Sequence, residues 1–116
     1  MNTIDNRINN FYRAICLHCK TLTESQHWDA LIDYVLMAWS YVRALPLWDE
    51  MSHNSTRRDC FKILTLNLKN ALRTAGNQLG VERLLNVSNK LKPMITDYED
   101  ANKCQEYLDI LVPAKK

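Results

Sequence analysis

Trp28-Asp-Ala-Leu-Ile-Asp-Tyr-Val-Leu-Met-Ala-Trp-Ser-Tyr-Val-Arg-Ala-Leu45 is the stretch that decides how this chain folds. Apart from the hydroxyls of Tyr34 and Tyr41, its polar side chains are Asp29, Asp33, Ser40 and Arg43. On a helix turning about 100° per residue these four fall along one narrow stripe, and the rest of the cylinder is apolar. A helix with that profile is normally surrounded by other elements. Leu31, Val35 and Val42 form one seam, while Tyr34, Met37 and Tyr41 form a separate patch nearer the polar stripe. Two placements of that patch are open. It can pack inside a bundle as part of a central helix contacted by the first, third and fifth helices. Alternatively it faces a second subunit or a protein partner, a role that tyrosine and methionine suit because they combine contact area with adaptability.

The flanking sequence supplies the other helices. Upstream, Ile4, Ile8, Phe11, Ile15 and Leu22 recur at helical spacing and predict a first helix from about Thr3 to Thr21. Thr23 and Gln26 have the spacing of a capping box for the second helix. Pro46 ends that helix near Leu45, because proline disfavours a helical residue before it, and can open a short turn to Met51. Ser55 or Thr56 then caps a third helix whose buried face is Phe61, Leu64, Leu68, Ala71, Leu72 and Ala75. Gly76-Asn77 is the expected left-handed stop. A fourth helix from near Leu79 uses Val81, Leu84, Leu85, Val87 and Leu91, and Pro93 ends or kinks it. Thr96 and Glu99 form a second candidate capping box before a last helix through Tyr98, Ala101, Cys104, Leu108 and Leu111. The expected architecture is all-α: one domain over residues 1–116, a compact bundle of four long helices plus one short helix.

Composition agrees with that expectation. The chain has 116 residues, of which 47% are hydrophobic and 24% charged, enough for one core without staples. Only 2 glycines and 3 prolines are present, fewer than tight-turned sheets usually need. The Ala30–Leu45 stretch is interrupted by charge and falls short of the ~20 apolar residues that span a bilayer, so no membrane partner is expected. Asp5, Asn9 and Asn10 occupy the opening residues where a secretory leader would be apolar. With four cysteines and no export pattern, free thiols and a cytoplasmic location are expected.

Few residue constellations point to catalysis. Cys16-Leu-His-Cys19 offers half of a zinc tetrahedron, but no second paired motif completes it, and inside a helix cysteine also acts as a small buried hydrophobe. No phosphate-loop, dinucleotide or metalloprotease motif occurs, and no serine or cysteine nucleophile stands beside a histidine. Asp29 and Asp33 share a helix face and read as a solvated stripe. Neither catalysis nor a cofactor is expected.

Two surfaces are candidates for binding. Tyr34, Met37, Tyr41 and Trp48 are the apolar one, with Trp48 either plugging the open end of the core or anchoring a partner. Arg58, Lys62, Lys69 and Arg73 share a face of the third helix, with Thr65 between them. Arg83 and Lys90 on the next helix could extend that line to follow phosphates. The same face also suits an acidic protein, or simply solvent. Leu31-Ile-Asp-Tyr-Val, with Pro46-Leu-Trp-Asp and Arg57-Arg-Asp, resembles the opening of the MADF family of small helical DNA-binding domains. The resemblance breaks at Met37 to Ala44, and the family's later Trp-containing helix has no counterpart in Val81 to Lys92, so it assigns no family. The preferred reading is a non-enzymatic protein–protein interaction module: a small regulatory, inhibitory or adaptor protein that binds a protein partner or self-assembles. The alternative is a nucleic-acid-binding accessory protein using the basic face of the third helix.

Overall fold

A computed structural model of the chain describes residues 3–44 and 54–112, with side chains placed from Asn9 and Arg57 onward in the two stretches. Trp48 and the expected Pro46–Met51 turn lie outside the described residues. Helix α1 spans Thr3–Glu24, α2 Trp28–Ala44, α3 Asn54–Ala75, α4 Val81–Asp97 and α5 Asn102–Leu111. Four helices of 17 to 22 residues and one of 10 make the all-α bundle expected from the periodicity.

The junctions differ from the expected caps in instructive ways. Helix α1 runs past Thr21 and closes on a Schellman turn, with the His27 amide donating to the Leu22 carbonyl at 3.0 Å and the Gln26 amide to Thr23 at 3.0 Å. Gln26 takes the left-handed position of that turn, at φ 59°. Thr23 and Gln26 therefore end α1 instead of starting α2: a C-terminal turn and a capping box can occupy the same residues. The second expected box fails similarly, because α4 continues through Pro93 to Asp97 and holds Thr96 in its last turn. There the Thr96 hydroxyl donates to the Lys92 carbonyl at 3.5 Å. Extended Tyr98 (φ −150°) then breaks the helix, and a 3₁₀ turn over Glu99–Ala101 leads into α5. Gly76 does end α3, but no described glycine has positive φ. What Gly76 supplies is space: a Cβ there would collide with the side chain of Leu111.

Packing puts α3, and not the expected α2, at the centre: α3 meets α1, α2 and α5. Leu31, Ile32, Val35 and Val42 are fully buried, with Ile15 from α1 and Leu64, Leu68 and Leu72 from α3 in the same core. Burying each such side chain contributes roughly 1.5–3 kcal/mol. The main neighbours of α2 are α3, α1 and α4. Helix α5 instead folds back onto α3 and α4, because only a short turn separates it from α4. Trp39 stacks on Phe61 of α3 with ring centroids 4.4 Å apart. Its indole N–H donates to Asp97 Oδ2 at 2.9 Å, and Arg43 Nε sits 3.3 Å from the other oxygen. One side chain thus fastens α2 to both α3 and the end of α4.

Candidate protein-binding surface

The stripe of α2 that escapes the core is the one carrying Met37 and Tyr41. They are 62% and 58% exposed, high for large apolar side chains on a helix whose other face is core. Tyr41 is braced edge-on by Phe11 of α1, with centroids 5.2 Å apart and planes at 61°. Tyr34 is half-buried two turns before Tyr41, against the ring of His18 at 5.3 Å. Phe11, Tyr34, Met37 and Tyr41, together with Ala38, Ser40 and Ala44, line an open groove of about 610 Å³ between α1 and α2. Burial pushes the Tyr34 hydroxyl up to about 12, helped by the nearby Cys19 and Cys16 thiols, so it stays neutral at the groove wall.

Met37 and Ser40 also border a second depression, about 340 Å³, on the α4 side. That one is framed by Asp33, Arg43, Lys90 and Pro93. The Met37 ridge therefore has an apolar groove on one flank and a charged one on the other. The polarity of the two flanks is what distinguishes them: the first can exclude water over an apolar contact, and the second can fix orientation with charge.

The expected line of basic groups does not form as a unit. Arg83 does not extend it, because its guanidinium sits between Asp29 (2.9 Å) and Asp33 (2.6 Å) across the α2–α4 contact. Asp29 and Asp33 are accordingly an ion-pair clamp and more than a solvated stripe. Burial tends to lower the Arg83 pKa, but the hydrogen bonds that its guanidinium donates to the Asp29 and Asp33 carboxylates, with their charge, outweigh it and raise it. Arg58 is committed too, its guanidinium 5.3 Å above the Tyr98 ring, while Arg73 leans on Asn70 Oδ1 at 3.4 Å. Lys62 and Lys69 remain, and α5 brings Lys103 beside them.

Cys16 and Cys19 sit on α1 with Cys19 buried. Burial, then the neighbouring Cys16 thiol, pushes the Cys19 pKa to about 11. Cys60 and Cys104 reach about 12, burial being the first cause in both. Thiols held so far up are protonated near neutral pH and pack as small apolar groups. Among the described residues no three histidine, cysteine or acidic side chains gather as metal ligands.

Phe11, Asp97 and Lys103 all went unassigned to a site in the sequence. Phe11 reads as core by periodicity, and its contact with Tyr41 depends on how α1 leans on α2. Asp97 and Lys103 lie far in sequence from Trp39 and Lys69, and no local signal joins them.

Comparison with known proteins adds the functional frame. The family described as "Cut8, nuclear proteasome tether protein" matches residues 2–112. No curated protein and no solved structure matches the chain. The match overturns the expected cytoplasmic location, since this family is nuclear. Free thiols could not have separated the two compartments, because both are reducing. No described helix is long and apolar enough to cross a membrane.

Proposed function

Because this chain belongs to the Cut8 family, we propose that it acts as a nuclear tether that holds proteasomes by direct protein–protein contact. In this reading the groove between α1 and α2 is the contact surface. The observation that carries it is the exposure of Met37 and Tyr41 over a groove whose floor is apolar. Leaving such side chains in water forgoes roughly 1.5–3 kcal/mol of burial each, which a docking partner recovers. A tether works by binding, so the role needs no catalytic group. The family description also favours tethering over inhibition or self-assembly as the form that binding takes. The nucleic-acid alternative is weakened by Arg83, which was expected to supply phosphate contacts and is held by Asp29 and Asp33 instead.

The test is co-sedimentation of the chain with purified proteasomes, comparing the wild type with a Met37→Glu, Tyr41→Glu double variant. Binding by the wild type and at least a tenfold loss in the variant, with an unchanged helical circular dichroism spectrum, is the expected result. Equal binding by both proteins removes the groove from the interface. A wild type that does not sediment with proteasomes overturns the tethering role.

A further inference from the structure

We infer that the junction of α3 and α5 is a second binding site, one that takes an acidic side chain from a protein segment and an apolar side chain beside it. The reasoning starts from Thr65. Its side chain is 4% exposed and its Oγ1 has no hydrogen-bond partner. A threonine inside a helix ordinarily returns its hydroxyl to the carbonyl one turn back, and a buried hydroxyl left unpaired is costly. Here it lines a small cavity of about 60 Å³ instead.

Three lysines line that cavity. Lys62 and Lys69 precede and follow Thr65 by one turn on α3, so all three share a face. Lys103 arrives from α5. Among the described residues none of these lysines forms an ion pair. One carboxylate, Asp100, stands at the rim, and it accepts a hydrogen bond from the Tyr98 hydroxyl at 3.2 Å. An incoming carboxylate would accept from the Thr65 hydroxyl and the lysine ammoniums, satisfying this unpaired hydroxyl and reducing the excess positive charge.

The apolar half of the ligand follows from the adjoining depression. It shares Lys69 and Lys103 with the first cavity, and Tyr107, Ile110 and Glu106 line the rest of it. Ile110 is 78% exposed there, and Leu66 stands exposed beside Thr65. A polyanion such as a nucleic acid has no use for Ile110 and would meet Asp100 and Glu106, whereas an acidic segment with a hydrophobic neighbour uses both depressions. None of these residues lines the α1–α2 groove, so the site is independent of the tethering surface.

Fluorescence anisotropy of the full chain with labelled peptides tests the assignment. The probes are a Glu-Leu peptide, its Gln-Leu counterpart, and a single-stranded DNA oligonucleotide. Saturable binding of the Glu-Leu peptide alone is expected, weakening as salt rises. The Lys69→Gln, Lys103→Gln double variant should lose at least tenfold. Thr65→Val should lose severalfold while raising the melting temperature, a combination that a purely structural role for Thr65 does not produce. Met37→Glu should leave the peptide affinity unchanged, which separates failure here from failure of the tethering surface. Equal binding of the Gln-Leu peptide, unaltered affinity in the lysine double variant, or tighter binding of the DNA would each overturn the proposal.

Discussion

Trp39 and Met37 are two residues apart on one helix and have opposite fates. The first is 2% exposed, stacked on Phe61 and bonded to Asp97; the second is 62% exposed on a ridge between two grooves. Both are large and apolar, so composition does not separate them. What separates them is the angle at which neighbouring helices approach: α3 and α4 close over the Trp39 side, while among the described residues α1 meets the other flank through Phe11 against Tyr41. Apolar side chains on α2 therefore meet two fates, burial in the core and exposure on the ridge.

The sharpest way to break this comparison is Trp39→Ala. Removing the stacked indole leaves a cavity where three helices meet and should cost about 3–5 kcal/mol, measured by urea unfolding. Trp39→Phe is milder and more diagnostic. It keeps most of the stacking but takes the N–H from Asp97, whose side chain is only 11% exposed, and should cost about 1–2 kcal/mol. A loss as large as that of Trp39→Ala would mean the hydrogen bond, and not the packing, fastens α2 to α4. Thr65→Val should go the other way, stabilising by about 1 kcal/mol because it removes a buried unpaired hydroxyl. On the outer flank, Met37→Glu with Tyr41→Glu should change stability least, within about 0.5 kcal/mol, while abolishing partner binding. A large destabilisation by that pair would make the ridge part of the core and end the distinction.

Much of the scaffold was legible because helices are written locally. Gly76 follows the last residue of α3, and the apolar spacing of Leu64, Leu68 and Leu72 announces a buried stripe. The capping boxes misled for an equally local reason: Thr23 and Thr96 fit a start signal, yet each lies in the last turn of the preceding helix. Four residues of pattern do not say which helix they belong to. The candidate site was half legible. Tyr34, Met37 and Tyr41 were separable from the core seam by angle alone, but whether they faced a neighbour or solvent was not.

From the sequence alone came the helical class, the approximate extents of the helices and the two kinds of residue available for binding. These depend on interactions within about four residues along the chain. Tertiary structure alone decided the rest. It gave Arg83 to Asp29, 54 residues away, and so took it from the basic face. It brought Lys103 to Lys69, left Thr65 unpaired between them, and set Phe11 against Tyr41. Those outcomes follow from how five helices share one core, a sum over distant contacts that no short stretch of sequence contains.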